Sequence, residues 1–288
     1  MVKIVTDSTC DLTIEEADRL GIEVVPLFIH FEGKSYRDKI DLTTEDFYRK
    51  LIECKTLPTT STPSPTDFTA VYDKLAEETD EILVITISSK LSATYQAAVE
   101  GKKQCKGNCR VEIIDSLTAI SGLGLIVIAA AKAARAGCNL KEVIDVVKGC
   151  MSRVDFRIAF DTLEYLKRGG RIGKAQAFLG SMLKVNPVLT IRDGITEGVA
   201  KLRSRAKAID YIYDFALSFD RIEEMAVEDA NTPAEVDALI ERLSSKFPRE
   251  QIHRLKISPV IGANVGPRVI GLGVLTKQDG AKNITSTI

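Results

Sequence analysis

Short apolar runs alternate with amphipathic stretches along most of the chain. Residues 3–6 read as a strand that runs into Asp7-Ser8-Thr9. Thr13-Ile-Glu-Glu16 has the form of a capping box, and Gly21 closes the helix it opens. Residues 22–31 are apolar enough for one strand, and Thr43 caps a helix reaching Cys54. The stretch 58–65, PTTSTPSP, is a loop ending with Ser64 as N-cap and Pro65 at the first helical position. Residues 81–87 form an apolar strand, followed by a hydroxyl-rich turn and a helix to about Gln104. A strand at 111–115, a buried helix at 121–136 ended by Gly137, and a helix at 140–151 complete this half. Strands apolar on both sides and alternating with helices imply a parallel sheet covered on both faces.

The pattern then changes. Residues 157–161 are strand-like, 163–168 form a short helix ended by Gly169-Gly170, and 175–183 read as helical. Strands at 188–191 and 195–199 flank Asp193-Gly194, a strong hairpin signal. A helix near 206–219, a strand at 224–227, a helix at 233–247 and strands at 254–260 and 269–274 follow. Hairpin pairing among helices points to a mixed sheet. The expected fold class is α/β in two domains, an N-terminal parallel-sheet domain over 1–155 and a C-terminal mixed-sheet domain over 156–288.

Composition changes this picture little. Of 288 residues, 45% are hydrophobic and 27% charged, as in an ordinary globular chain. A net charge of −1 argues against a nucleic-acid partner, which needs a basic face. The N-terminus has no secretory h-region, and the longest apolar run, 120–131, is shorter than the roughly 20 residues a bilayer demands. Six scattered cysteines are then expected as reduced thiols in a cytoplasm.

Motif chemistry is thin. Cys105-x3-Cys109 lacks partner ligands, since the chain has only His30 and His253, so no metal is expected. RGGRIGK at 168–174 departs from a phosphate loop at both ends, and Gly122-Leu-Gly124 lacks the third glycine of a dinucleotide fingerprint. Those two glycines are better read as permitting close helix packing. No G-x-S-x-G elbow is present, and neither histidine sits in a catalytic-looking loop, so no catalytic residue and no cofactor is assigned. What remains is hydroxyls. TISSKLSATYQAA at 86–98 and the loop 59–64 each carry several, each at a strand end that opens a helix. Asp7-Ser8-Thr9 and Asp115-Ser116 mark two further strand ends. In an open parallel sheet ligands bind beyond such ends, and a helix start offers free N–H groups to an anion. Simple capping by Ser64 and Ser92 is the plainer alternative, and a carboxylate or phosphate ligand the functional one. A serine-dependent acyl hydrolase using Ser89 or Ser92, and a regulator binding a small phosphate or carboxylate, both stay open on these residues.

Taken together, several stretches resemble the DegV family of bacterial fatty-acid-binding proteins. They are VTDSTCDL (5–12), PTTSTPSPTDF (58–68), TISSKLSATYQAA (86–98), DS (115–116), FDTLEYLKRGGRIGKAQAFLGSMLKVNPVL (160–189), KLRSRAKAI (201–209) and VIGANVGPRVIGLGV (260–274). The resemblance implies a long-chain fatty acid buried between two domains, its carboxylate held by Thr60, Ser61, Ser89 and Ser92. It further implies a non-catalytic, acyl-carrying role beside an ATP-dependent fatty acid kinase subunit. On that reading Arg171, Arg203 and Arg205 sit near the portal or partner surface, and transient membrane contact has a place. Many relatives read G-x-H-x-G-P-G where this chain has Gly262-Ala263-Asn264-Val265-Gly266-Pro267-Arg268. Asn264 is thus a binding candidate that can donate a hydrogen bond but carries no charge and shuttles no proton. Ala93 stands where relatives often have glycine. The apolar stretches 178–183 and 120–131 are candidate tunnel walls, with most of their residues expected to be plain core.

Overall fold

The structure, a computed structural model, describes residues 1–179 and 185–277. Its first half contains β1 (Lys3–Asp7), α1 (Ile14–Leu20), β2 (Ile22–Val25), β3 (Phe28–Phe31), β4 (Lys34–Arg37), α2 (Thr44–Glu53), β5 (Thr59–Ser61), α3 (Pro65–Ala76), β6 (Glu81–Thr86), α4 (Thr94–Gln104), β7 (Arg110–Asp115), α5 (Ile120–Arg135) and α6 (Leu140–Met151). The second half contains β8 (Val154–Ala159), α7 (Glu164–Arg168), β9 (Asn186–Arg192), β10 (Ile195–Leu202), α8 (Arg205–Leu217), β11 (Ile222–Ala230), α9 (Pro233–Ser244), β12 (Ile252–Lys256), α10 (Pro259–Val265) and β13 (Val269–Thr276). Strands β2-β1-β6-β7 form an all-parallel sheet. A six-stranded sheet in the order β10-β9-β8-β13-β11-β12 is mixed, with β11 and β12 its one parallel pair. The fold is α/β, as the residue pattern implies.

Four local expectations need correction. Pro26 splits the 22–31 run, because a residue without an N–H cannot continue a ladder. β2 stays in the parallel sheet while β3 joins a small antiparallel sheet, β4-β3-β5. Within the loop at 58–65, Thr59–Ser61 is the strand β5, paired to β3 by contacts no local signal announces. Residues 254–260 are not one strand: Ser258 and Pro259 start α10, which the sequence reading missed. The helix expected over 175–183 is a 3-10 segment at Gly173–Phe178, and residues 180–183 of that expectation lie outside the described residues.

α5 is the hub. It is apolar on nearly every face, and such a helix has to be buried. It packs against β1 on one side and against β8, β11 and β13 on the other. Gly124 makes the approach possible: a Cβ there would lie 2.6 Å from the Cys10 carbonyl oxygen. One continuous core runs from Ile4 and Leu83 through α5 to Phe156, Ile158 and Leu189. A second core, containing Ala159, Val188, Val227 and Leu239, lies on the other face of the mixed sheet, under α8 and α9. No helix among the described residues is long and apolar enough to cross a membrane.

Candidate functional site

Strand alternation builds one wall of a cavity between the two large sheets. Along β8 and just past it, Phe156, Ile158 and Phe160 project to one face while Ala159 goes to the other core. Leu189 and Ile191 of β9 continue that wall, with Leu189 directly opposite Ile158. Ala119 and Ile120, at the start of α5, add to it. Ile120 has φ of +51°, an unfavourable backbone for a β-branched residue, of the kind that gathers at ligand sites. Counting its open mouth, the cavity encloses about 730 Å³ free of atoms. Its inner space is narrow, with room for several waters.

Polar groups reach this apolar space from four separate segments. Thr60 comes from β5, Ser92 from the turn before α4, Asn264 from α10, and Arg171 from the loop after α7. Contacts tie these segments together. Arg171 donates through Nε to the Leu91 carbonyl at 3.2 Å and through Nη1 to the Gly169 carbonyl at 2.5 Å. Gly169 in turn abuts Asn264, whose Oδ1 would lie 2.4 Å from any Cβ added there. The Asn264 amide donates once within its own helix, to the Val260 carbonyl at 3.1 Å, leaving a second N–H. Ser92 Oγ meets Thr94 Oγ1 at 2.8 Å, and the α4 N-cap, Ala93, makes no side-chain capping bond. Ser92 Oγ also accepts from the Thr94 N–H at 3.4 Å, so it is the next N–H groups of α4, those of Tyr95 and Gln96, that keep donor capacity at a positive helix end. With φ of −77°, Ala93 does not need to be glycine.

Two of the hydroxyls expected to bind carboxylate point elsewhere. Ser61 follows Thr60 in a strand, so its side chain faces the opposite way and meets His30 Nε2 at 2.9 Å outside the cavity. Ser89 is exposed, and its backbone N–H is taken by Asp115 Oδ1 at 3.1 Å. The neighbouring Ser88 is structural: it is fully buried and donates to the Gly194 carbonyl at 2.9 Å, tying this turn to the β9–β10 hairpin. Arg203 is exposed and does not line the cavity. Arg205 is held at 2.5 Å by Glu235 and also donates to the Arg268 carbonyl. Of the candidate tunnel walls, only Ile120 of 120–131 reaches the cavity; Phe178 packs on Gly198 under Lys201. Thr9, Thr190 and Thr196 also line it, and the sequence reading did not single them out as ligands. Thr9 had a signal, its place at the end of β1; the other two show only once β9 and β10 are paired.

A second polar region, a buried seam, positions α10 and α5. Asp11 Oδ1 accepts from the Ser258 N–H at 3.1 Å, and Asp38 Oδ1 from the Val260 N–H at 3.3 Å. Tyr48 donates its hydroxyl to the Ile257 carbonyl at 3.0 Å. These bonds anchor the chain just before Asn264. At the other end of the seam, Glu228 on β11 accepts from the Ser121 N–H at 2.9 Å and from its hydroxyl at 2.8 Å, capping α5, whose own N-cap is Ala119. Burial pushes Asp11 up to about 7 and Asp38 up to about 6, against the pull of Lys39 in both cases. Burial and the nearby Asp11 charge carry Glu228 well above the ordinary carboxylate range.

Neither serine of the hydrolase alternative is paired with a histidine: Ser92 meets Thr94, Ser89 is exposed, and His253 is taken by Glu224 at 2.6 Å. Among the described residues, no group of three or more His, Cys, Asp or Glu is arranged to hold a metal.

Comparison with known proteins agrees with this architecture. The family model described as "Uncharacterised protein, DegV family" matches residues 1–277. A DegV domain-containing protein of Caldanaerobacter subterraneus is 35% identical over 274 residues, covering 94% of this chain and 97% of its own. The solved structure "Fatty Acid Binding of a DegV family Protein from Thermus thermophilus" superposes with a TM-score of 0.87 at 35% identity, covering 96% of this chain and 99% of that one. A protein of Eubacterium ventriosum, named as binding stearic acid, superposes with a TM-score of 0.87 at 26% identity, covering 96% and 99%. The chain belongs to the DegV family.

Proposed function

We propose that this chain binds one long-chain fatty acid in the cavity between its two large sheets. The carboxylate lies among Thr60, Ser92, Asn264 and Arg171, and the alkyl chain runs along Phe160, Ile158 and Phe156. The observation that carries the reading is the convergence of three neutral polar side chains and one cation, from four segments, on a cavity whose remaining lining is apolar apart from Thr9, Thr190 and Thr196. Relatives named for fatty-acid or stearic-acid binding support the ligand class. A small phosphate ligand would leave the aromatic and aliphatic wall without a partner.

Energetics divide the labour. Each buried methylene contributes roughly 0.8 kcal/mol, so a chain of about sixteen carbons is worth on the order of 12 kcal/mol before ordering costs. A hydrogen bond to the charged head adds roughly 1.5–3 kcal/mol. The tail sets affinity and the polar groups set orientation. The reading extends to presenting the carboxylate to an ATP-dependent kinase subunit; in its support, Arg171 is exposed where it meets the cavity, leaving a charged face for a partner.

Mass spectrometry of an organic extract from freshly purified, denatured protein tests the proposal. About one long-chain acid per chain is expected. A small polar ligand in its place, or a delipidated protein that takes up no fatty acid, would overturn it.

A further inference from the structure

A second hollow lies beside the cavity, and the two have Phe156 and Ile191 in common as lining. The strand register pairs Ile158 with Leu189 and Ala159 with Val188; continued along the antiparallel pair, it sets Phe156 opposite Ile191. These two side chains thus stand side by side with space on both sides of them. The spaces differ in chemistry. On the cavity side the wall is Ile158, Phe160, Leu189 and Ile120. On the far side the hollow is lined by Ser116, Thr118, Arg153, Asp155, Arg192 and Asp193. Phe156 is held firmly: it is 2% exposed, and its ring rests against α5 at Gly122, where an added Cβ would lie 3.3 Å from Cδ1.

We infer that Phe156 and Ile191 form a partition that limits the length of the acyl chain this protein accepts. The inference rests on the proposed fatty-acid reading. Phe160 leads directly into α7 and so to Arg171, at the polar end of the cavity. Phe156 is four strand residues away, roughly 13 Å at 3.3 Å per residue. A tail lying along the β8 wall from the polar end therefore runs toward the partition. Beyond it, a methyl terminus would enter an open hollow where Met151, Val154 and Phe219 share the lining with two arginines and two aspartates, so burial of apolar surface gains less there than in the cavity. The partition and the polar hollow act in the same direction, against longer chains.

The test is competition. Delipidated protein is incubated with an equimolar mixture of saturated C14, C16, C18, C20 and C22 fatty acids, and the bound fraction is extracted and quantified. Wild type is expected to show a sharp upper limit. Phe156→Ala should raise the ratio of C20 and C22 to C16 by about tenfold, the gain from burying between one and two further methylenes at roughly fourfold each in the space the ring vacates. Phe156→Trp should move the ratio toward shorter chains. Should Phe156→Ala fail to fold, Ile191→Ala opens the same partition with a smaller loss of volume and predicts a shift in the same direction. An unchanged chain-length profile in folded variants that still bind acid would overturn the partition and leave the fatty-acid reading standing. No acid bound by wild type would overturn the reading beneath it.

Discussion

Two polar regions lie between the large sheets, the cavity mouth and the carboxylate seam, and their hydrogen bonds are deployed in opposite ways. At the seam, Asp11, Asp38 and Glu228 are fully or almost fully buried, and each accepts from a backbone N–H of the facing half. At the mouth, the groups are two hydroxyls, an amide and a guanidinium, and the amide has a donor left over. The seam is closed chemistry that fixes α5 and α10; the mouth is open chemistry that those helices carry into place. Acceptors hold the scaffold, and donors face the cavity. A carboxylate ligand needs donors, and only the mouth offers them.

Four experiments can break or sharpen this contrast. The largest effect is expected from Glu228→Ala, which strips Ser121 and the α5 N-terminus of their acceptor. The Ser121 N–H and hydroxyl would both lose their buried acceptor, at roughly 1–3 kcal/mol each, to be read by urea unfolding; Glu228→Gln, which keeps an acceptor oxygen, should cost far less. A loss below about 1 kcal/mol for the alanine variant would deny the seam its structural role. Next is the pair Thr60→Ala with Ser92→Ala. Two bonds to a charged head at roughly 1.5 kcal/mol each predict about a hundredfold weaker fatty-acid binding with little change in melting temperature. Ser61→Ala with Ser89→Ala should stay within about twofold by the same titration.

Third comes Asp11→Asn, which retains the acceptor for Ser258 and tolerates the left-handed backbone at φ of +58°. Burial lifts Asp11 from 3.8 to about 7, so between those values the folded chain holds a proton that the unfolded chain has released. That contribution favours folding below the unfolded value and is lost as pH rises through about 7. The variant should therefore gain stability relative to wild type as pH rises from 4 to 7, and the gain should level off above about 7. A pH-independent difference would remove the seam's charge from the account. The smallest effect is expected from Arg268→Gly. Arg268 has φ of +63° and pairs with Asp161 at 2.7 Å while half exposed. Relief of about 1 kcal/mol of backbone strain offsets a surface ion pair of about the same size, so thermal melting should move little.

How far this was legible in the sequence depended on whether a signal was local. The capping boxes at Thr13, Ser64 and Asn139 and the Asp193-Gly194 turn are written in neighbouring residues, and Thr13 and Ser64 were read correctly in detail. α5 and α6 were placed within a residue, because their apolar faces and flanking caps agree. α10 was missed although Ser258-Pro259 is a helix-start signal, because the apolar run around it also suits a strand. At the site, the two hydroxyl-rich stretches are legible in the sequence, but not that Thr59–Ser61 is a strand, nor which hydroxyl of each stretch faces inward. Thr60 and Ser61 differ only by strand alternation, and that phase is set by pairing with β3, far away in sequence. The Glu228 cap on α5 joins residues 107 apart and leaves no local trace.

The most direct measurement is carbon-13 NMR of carboxyl-labelled palmitic acid bound to delipidated protein. The account predicts that Thr60→Ala with Ser92→Ala shifts the bound carboxyl resonance, whereas Ser61→Ala with Ser89→Ala leaves it where wild type has it. A resonance that ignores the first pair, or responds equally to both, would place the headgroup away from this mouth and contradict the account.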